Sequence, residues 1–453
     1  MHLPRRKSPL GPPSDVTLAV GKQVGSYARK GSNFSIYALV LAIFLLALII
    51  YREELRAMAE SSLSTYQPQE DAPAAFPGGS ISRFPPETPE IPATNVTGLE
   101  KCDLARGEWV FDDVDFPMYR EEQCQYLSQQ MSCSRNGRPE SMYQKWRWQP
   151  AGCSLPKFDA RMMLEWLKGK RMVFIGDSMN RNQWESFVCL MQTVVPPEAR
   201  DRRVDGSRII FTIKEHGASI EFYWAPFLVE SNSDDPNIHN IAERIINPDA
   251  IEKHAVHWKG ADVLVFNTYI WWMNTFETRV LRPGAQNWME HEMIVRYQAY
   301  DRVLRTLTNW LDLNVDPTKT SVFFMSMSPT HSKSSDWGNR AGIKCAGERL
   351  PITDMTGVSV DTDMNIFALA KKALGSPALR VPVTFVDITA MSERRKDAHT
   401  SVFTVRQGAP LTPEQQAKPA EFADCIHWCL PGLPDTWNQL LFVHLLSGRR
   451  SRY

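Results

Sequence analysis

An uncharged stretch of 18 residues near the N-terminus, FSIYALVLAIFLLALIIY, constrains the organisation of this 453-residue chain most strongly. A run of this length can cross a bilayer as one helix, and it lacks the polar stripe of a soluble helix. Residues 1–33 carry six Lys or Arg residues against one acid, Asp15. The positive-inside rule then predicts a cytosolic tail at 1–33 and a lumenal segment from residue 52 onward.

This pattern predicts a type II signal-anchor at residues 34–51. A cleaved signal peptide is the closer alternative, but the basic segment before the run is long and no small-residue cleavage site follows it. The span is short, which favours a thin membrane of the early secretory pathway.

The segment after the apolar run, residues 52–100, has the composition of a stem. Seven prolines lie between residues 62 and 97 with almost no apolar periodicity, which is typical of an extended, semi-rigid linker. The tripeptide beginning at Asn95, Asn-Val-Thr, is an N-glycosylation acceptor on the lumenal side of the predicted topology.

All eight cysteines follow the predicted span, and an even set in an oxidising lumen predicts disulfides. The alternative is a zinc site drawing on the last two cysteines and the histidine between them. No CxxC pair is present, so we expect no metal. The cysteines are Cys102, Cys124, Cys133, Cys153, Cys189, Cys345, Cys425 and Cys429.

Composition and periodicity predict an α/β catalytic domain over residues 101–453. The chain is 43% hydrophobic with a formal net charge of zero, so nothing in its bulk charge attracts nucleic acid. Residues 101–163 hold four of the eight cysteines and contribute mainly to a smaller, disulfide-pinned lobe.

Strand-like and helix-like patterns alternate after this lobe. The runs RMVFIG, VLVFN, TSVFFM and VPVTFV read as buried strands, and a hairpin is expected to turn at His216 and Gly217. Helices are expected near 180–191, over 290–311, and in DMNIFALAKKAL and PDTWNQLLFVHLL. This alternation predicts a mostly parallel sheet covered by helices on both faces.

Ser178 lies in the stretch MVFIGDSMNRNQW, where a buried strand turns into a polar segment. In open α/β sheets ligands bind beyond the carboxyl ends of the strands, and Ser178, Asn267 and Ser328 all lie at such ends. The motif allows two readings: Ser178 is a nucleophile at a strand–helix turn, or it is the N-cap of an ordinary helix.

A serine nucleophile needs a base and a group that orients the base, and EFADCIHWCLPGLPDTW offers both. Asp424 and His427 are three residues apart, so on a tight turn or one helical turn they share a face. Cys425 and Cys429 would pin this segment covalently. The alternative is an exposed acid–histidine pair in a C-terminal loop.

Several other residues are candidates for the same cleft. The main-chain N–H of Ser178, the amide of Asn267 and the side chain of Arg181 could stabilise an oxyanion. Arg181 and the neighbouring Asn182 could equally form a solvated helix face. Trp271 and Trp272 could present aromatic faces to sugar rings, or pack in the core.

Four stretches of the sequence resemble a known plant family: GDSMNRNQWES, DCIHWCLPGLPDTWNQLL, YQKWRWQPAGCSLPKFD and DVLVFNTYIWW. They are similar to the trichome birefringence-like O-acetyltransferases, and specifically to their xylan O-acetyltransferase branch. The resemblance covers about residues 100–447. It implies an SGNH-hydrolase-like fold, residence in the Golgi apparatus, and acetylation of cell-wall polysaccharide.

Carried over by position, the resemblance makes Ser178 the nucleophile, His427 the base and Asp424 the orienting acid. One departure is that no glycine of the SGNH second block is evident, so Asn267 and Arg181 are the best substitutes as oxyanion donors. The disulfide pairs that the resemblance implies are Cys102 with Cys153, Cys124 with Cys189, Cys133 with Cys429, and Cys345 with Cys425.

The expected activity is transfer of acetyl to the 2- or 3-hydroxyls of xylosyl residues of xylan through an acetyl-serine. The alternatives are a polysaccharide acetylesterase with the same triad, a transferase for mannan, xyloglucan or pectin, and a non-catalytic protein that binds wall polymers. We expect no bound cofactor. The acetyl donor is a co-substrate, either acetyl-CoA or a carrier delivered by a membrane protein. No phosphate-binding glycine loop favours tight recognition of a nucleotide, so the two donors stay open.

Overall fold

The computed structural model describes residues 102–238, 241–406 and 408–446. The predicted cytosolic tail, membrane span and stem, together with the acceptor Asn95, lie outside the described residues. Within the part of the chain that the structure describes, no helix is both long and apolar enough to cross a membrane.

The described chain alternates strands and helices, as the sequence predicts. The strands are β1 (Gly107–Phe111), β2 (Trp146–Pro150), β3 (Arg171–Gly176), β4 (Arg200–Asp205), β5 (Arg208–Ile213), β6 (Ala218–Trp224), β7 (Ile245–Ile246), β8 (Val263–Asn267), β9 (Glu277–Leu281), β10 (His291–Val295), β11 (Ser321–Met325), β12 (Val383–Val386), β13 (His399–Ser401), β14 (Val405–Arg406), β15 (Ala409–Pro410) and β16 (Asp424–Trp428). The α-helices are α1 (Ala160–Leu167), α2 (Ser178–Gln192), α3 (Glu252–Ala255), α4 (Arg296–Asn314), α5 (Met364–Leu374), α6 (Thr389–Glu393), α7 (Pro413–Gln416), α8 (Pro419–Phe422) and α9 (Leu433–Leu446).

The central sheet has the strand order β12-β11-β8-β3-β6-β5-β4. The five strands from β12 to β6 are parallel, and β5 and β4 complete one edge in antiparallel register. Its middle strands are buried, apolar runs, which suits a sheet covered on both faces. The predicted α/β class with a mostly parallel sheet is confirmed.

The chain adds strands on both sides of β3, with β6 on one side and β8 on the other. The strand order therefore reverses next to β3, and a crevice opens at such a switch point beyond the carboxyl ends of the strands. Helix α2 follows β3 and packs against β3, β6 and α9, while α4 packs against α5. The turn between β3 and α2 therefore opens into this crevice.

The N-terminal lobe is built on a two-stranded antiparallel sheet that the sequence did not predict. In this sheet β1 pairs with β2, and Trp109 lies opposite Trp148 in edge-to-face contact. The indole N–H of Trp109 donates to the main-chain oxygen of Met391, so the lobe packs directly on the main domain. Because both tryptophans belong to the main hydrophobic cluster, the lobe has no separate core at this sheet.

One predicted element boundary is wrong. The helix expected over 290–311 begins only at Arg296, because His291–Val295 form β10 and pair antiparallel with β9. The helix expected near 180–191 is confirmed, and it spans Ser178–Gln192. The predicted hairpin also turns where expected, at a short 3₁₀ turn closed by Gly217 in the left-handed conformation that glycine adopts readily.

Four disulfides join the eight cysteines in the pairs that the family resemblance implies. Cys124–Cys189 connects the N-terminal lobe to α2, and Cys133–Cys429 connects it to the residue that follows β16. The pairs are Cys102–Cys153, Cys124–Cys189, Cys133–Cys429 and Cys345–Cys425.

Candidate active site

The turn between β3 and α2 is built by a glycine and an aspartate around Ser178. A Cβ on Gly176 would lie 1.9 Å from the main-chain oxygen of Asn267 on β8, so only glycine permits this close approach of two strands. The carboxylate of Asp177 accepts from the main-chain N–H of Met179 and, at 3.3 Å, from that of Tyr269. The turn is therefore tied to the start of α2 and to the end of β8.

The N-cap of α2 is Asp177, not Ser178. The helix-cap reading of Ser178 is therefore wrong. Ser178 occupies the first helical position, where a main-chain N–H has no partner within its own helix. Its hydroxyl is left to make contacts outside the helix.

Ser178, His427 and Asp424 form a continuous hydrogen-bond chain. Oγ of Ser178 lies 2.8 Å from Nε2 of His427, and Nδ1 of His427 lies 2.8 Å from Oδ2 of Asp424. The Asp424 and His427 side chains are each 15% exposed, so the chain is largely shielded from water. This is the geometry in which an imidazole can take a proton from a serine hydroxyl.

The acid–base pair lies on strand β16, so the expectation of a tight turn or one helical turn is wrong. Oδ1 of Asp424 accepts from the main-chain N–H groups of Ile426 and His427, at 3.0 and 3.1 Å. The pairing of β16 with β13 is irregular here. The side chain of Asp424 thereby folds back along its own strand and reaches the imidazole three residues on.

The electrostatics of the pair favour a charged acid and a basic imidazole. Burial raises the pKa of the Asp424 carboxyl, but His427 and two main-chain N–H bonds outweigh it and hold that pKa well below its usual value. Burial likewise lowers the pKa of His427, yet the Asp424 carboxylate raises it overall above 6.5. Asp177 differs, since burial raises its pKa to about 6.

Covalent and main-chain links hold β16 beside the nucleophile. Disulfides Cys345–Cys425 and Cys133–Cys429 join residues within and just after this strand to distant parts of the chain. The side chain of Asn182 on α2 accepts from the main-chain N–H of Trp428 and donates to its carbonyl. Nucleophile and base are thus linked directly through α2.

The expected cleft roles of Asn182 and Asn267 are wrong. Asn182 is fully buried, and its amide is used on the main chain next to His427, so it positions the base rather than substrate. The amide N–H groups of Asn267 donate to the main-chain oxygens of Met325 and Ser326 across the sheet. They are therefore not directed at an oxyanion.

Arg181 acts on the imidazole through its charge, and Gln130 lies next to it. Nε of Arg181 donates to Glu185 at 2.9 Å, its side chain stays 32% exposed, and its charge opposes protonation of His427. The Gln130 amide, from a 3₁₀ turn of the N-terminal lobe, lies 3.4 Å from Nδ1 of His427. Sequence reasoning missed Gln130, since an isolated glutamine has no spacing that relates it to a distant histidine.

Trp271 and Trp272 are core residues, so their expected contact with sugar is wrong. Trp272 is 1% exposed, donates its indole N–H to Thr268, and packs edge-on against Tyr300. Trp271 is 8% exposed and packs against the rings of Trp224 and Phe227. Their apolar surface fills the space behind the end of β8.

The described residues contain no cluster of three or more histidine, cysteine or acidic side chains arranged for a metal ion. A mostly parallel α/β sheet whose switch point holds Ser178, hydrogen-bonded to His427 and through it to Asp424, defines a serine-dependent acyl-transfer or acyl-hydrolysis site.

Comparison with known proteins identifies the family. Residues 155–444 match the PC-Esterase family, described as the GDSL/SGNH-like acyl-esterase family found in Pmr5 and Cas1p, and residues 100–154 match the PMR5 N-terminal domain. Xylan O-acetyltransferase 4 of Oryza sativa subsp. japonica is 50% identical, covering 90% of this chain and 83% of the relative.

Two further relatives agree. Xylan O-acetyltransferase 2 of the same rice is 55% identical over 77% of this chain and 70% of its own. Protein trichome birefringence-like 3 of Arabidopsis thaliana is 44% identical over 76% and 80%. The chain therefore belongs to the PC-esterase family, in its trichome birefringence-like and xylan O-acetyltransferase branch.

Proposed function

We propose that this protein is a polysaccharide O-acetyltransferase that moves acetyl to the 2- or 3-hydroxyls of xylosyl residues of xylan. The observation that supports it most directly is the chain of two 2.8 Å hydrogen bonds through Ser178, His427 and Asp424. The acceptor is suggested by the relatives, whose names describe xylan acetylation.

In the first half-reaction Oγ of Ser178 attacks the acetyl carbonyl of the donor, and its proton passes to Nε2 of His427. Asp424 keeps the other ring nitrogen protonated and stabilises the imidazolium. The main-chain N–H of Ser178 donates to the oxyanion, and Arg181 is proposed to face the same charge. The leaving group takes the proton back from His427, and an acetyl-serine remains.

In the second half-reaction a xylosyl hydroxyl replaces the leaving group. Nε2 of His427 removes its proton while the oxygen attacks the acetyl-serine. The ester passes to the sugar, and the proton returns to Oγ of Ser178. We propose that the donor is acetyl-CoA or another acetyl carrier, supplied with the help of a membrane delivery protein.

The test uses the purified full chain with an acetyl donor, with and without deacetylated xylan oligomers. We expect acetylated oligomers, with the 2-O and 3-O positions assigned by NMR. Release of acetate while the oligomers stay bare would instead identify an esterase. A parallel panel of mannan, xyloglucan and pectin oligomers tests the acceptor, and preference for one of these over xylan would contradict the proposal.

We also propose that the protein is a single-pass type II protein of the Golgi membrane with its catalytic domain in the lumen. The uncharged run at 34–51 and the basic segment before it support this topology. Removal of N-glycans should increase the mobility of the wild-type chain and not of an Asn95→Gln variant. A chain whose C-terminal domain is digested by protease added outside intact vesicles would contradict the topology.

A further inference from the structure

Two buried histidines lie directly behind the strand that carries the acid–base pair. Strand β13 pairs with β16 so that His399 lies opposite Trp428, and the His399 ring stacks on that indole with centroids 3.6 Å apart. His331 follows β11 and packs against His399. Both rings are at most 1% exposed, and neither has a part in the proposed chemistry.

The two rings connect two main-chain carbonyls. Nε2 of His331 lies 2.9 Å from the carbonyl oxygen of Glu393, and Nδ1 of His399 lies 3.1 Å from the carbonyl oxygen of His427. Between them, Nδ1 of His331 lies 2.7 Å from Nε2 of His399. The three contacts form one line of hydrogen bonds that ends at the main chain of His427.

Counting protons along this line shows that two neutral rings cannot satisfy it. A carbonyl oxygen only accepts, so Nε2 of His331 and Nδ1 of His399 must both carry hydrogen. A neutral imidazole carries one N–H, which leaves two bare nitrogens facing each other at 2.7 Å. A third proton, placed between these two nitrogens, turns the repulsive contact into a hydrogen bond.

We propose that His331 and His399 are positioning residues that share one proton, and that the resulting pair holds the main chain of His427 in its catalytic geometry. The main-chain N–H of His331 also donates to the carbonyl of Cys425 at 3.1 Å. The pair therefore holds β16 at two points on either side of the imidazole. The inference rests on the proposed role of His427 as the base.

The charges around the pair decide how firmly the proton is held. Burial lowers the pKa of both rings, whereas the bridging hydrogen bond stabilises one proton shared by two nitrogens. Acidic neighbours favour the proton and basic neighbours oppose it. The acidic groups are Asp397, Glu348 and Asp424, and the basic groups are Lys396, Arg138 and His427.

Two of these acids are already paired, since Asp397 binds Arg395 and Glu348 binds Lys396. The net field of the surroundings is therefore weak, and the hydrogen-bond line is the main support of the proton. When the proton leaves at high pH, one of the two carbonyl contacts must be lost. Only loss of the His399 contact to the His427 carbonyl releases β16, so we expect activity to fall on the alkaline side in proportion to the molecules that lose that contact rather than the one to Glu393.

The first test measures the proton itself. NMR of the full chain with ¹⁵N-labelled histidine, assigned with single His331 and His399 variants, reports which ring nitrogens carry hydrogen. At the pH of the transferase assay we expect three of the four ring nitrogens to be protonated, with one strongly deshielded proton between the rings. Two neutral rings with two N–H groups in total would overturn the inference.

The second test uses a matched pair of substitutions. In His331→Asn the amide nitrogen lies near the position of Nδ1 and donates permanently to His399, so kcat should stay near wild type and the alkaline fall should disappear. In His331→Leu the donor is lost, and kcat should fall up to about 100-fold with little change in KM. Equal losses in both variants, or no loss in His331→Leu, would overturn the inference.

His254→Leu is the control for removing any buried histidine. His254 is 2% exposed and contacts Asp234 and Tyr223, away from β16. The His254→Leu substitution should lower the stability of the protein without changing the pH profile of kcat. If wild-type protein transfers no acetyl to any acceptor, the proposed function fails, and the NMR measurement still decides whether the proton is shared.

Discussion

Ser178 is positioned by regular secondary structure, whereas Asp424 and His427 are positioned by cross-links and side-chain hydrogen bonds. Ser178 follows a central parallel strand and begins the helix that packs on it. The acid–base pair lies on a short, irregular strand, β16, outside the central sheet. Two disulfides, the side chain of Asn182 and the buried histidines hold this strand in place.

The two halves of the site therefore differ in their sensitivity to substitution. A strand–helix turn in a closely packed sheet is held by many small contributions, so no single substitution outside it should displace Ser178. Strand β16 is held by a few identifiable links, so removing one of them should displace His427 while the sheet stays intact.

Removing either end of the proton path should have the largest effect. We expect Ser178→Ala and His427→Ala each to lower kcat by about 10⁶-fold, since nucleophile and base act as a unit and either loss abolishes the same step. The exposed Ser332→Ala is the matched control and should retain full activity. Thermal unfolding should be close to wild type for Ser178→Ala, and substantial transfer by that variant would remove the nucleophile from the account.

The next effect concerns the orienting acid. Asp424→Asn keeps the shape but loses the charge that stabilises the imidazolium, and the expected fall in kcat is about 10⁴-fold. Steady-state rates of acetyl transfer to xylan oligomers measure it. A loss below tenfold would mean that Asp424 only anchors β16.

The pH profile follows from the pKa of His427. Its folded pKa is raised above 6.5, and the base works only when neutral, so kcat/KM should fall as pH drops through that raised value. In Asp424→Asn the charge that raises the pKa is absent while burial remains, so the acid limb of the residual activity should move to lower pH. An acid limb that does not move would contradict the assignment.

Two disulfides provide a smaller and more selective comparison. Replacing Cys345 and Cys425 together by serine should lower stability by about 2–4 kcal/mol and also lower kcat, because β16 loses a covalent anchor. Replacing Cys124 and Cys189, which anchor α2 near its far end, should cost a similar free energy and leave kcat unchanged. Denaturant unfolding and kcat are measured for both double variants. Equal kcat values would mean that the position of His427 does not depend on the disulfide that anchors β16.

The smallest expected effect is that of Asn182→Ala. Two buried main-chain contacts are lost, which should cost about 1–3 kcal/mol and lower kcat through movement of His427. Asn438→Ala is the control, since Asn438 is equally buried and also bonds to α2, at Gln183 and Ser186. A fall in kcat for the control as well would assign the effect to α2 rather than β16.

The sequence predicted the nucleophile side of the site better than the other side, for a physical reason. An apolar strand followed by Gly-Asp-Ser places Ser178 at a strand end by periodicity alone. The local structure around Asp424 and His427 depends on partners far along the chain, so their spacing predicts a tight or helical turn where the structure has an irregular strand. Their association with Ser178 was correct because acid–base chemistry, not local propensity, connected them.

The other site residues whose positions the sequence does not predict have the same explanation. Sequence alone allows Asn182, Asn267 and Trp272 to face the cleft, because polar and aromatic residues near a strand end can face either way. Only packing decides that these side chains turn inward, where they satisfy main-chain groups or fill the core. His331 and His399 have no sequence pattern that relates them to each other or to His427.

Mass spectrometry of the full chain can show whether Ser178 carries the acetyl group. Protein mixed with the acetyl donor alone and quenched in acid should gain the mass of one acetyl group, located on the peptide that contains Ser178. The group should disappear when xylan oligomers are added before the quench and should never form in Ser178→Ala. Transfer to xylan that proceeds without acetylated Ser178 would contradict the account.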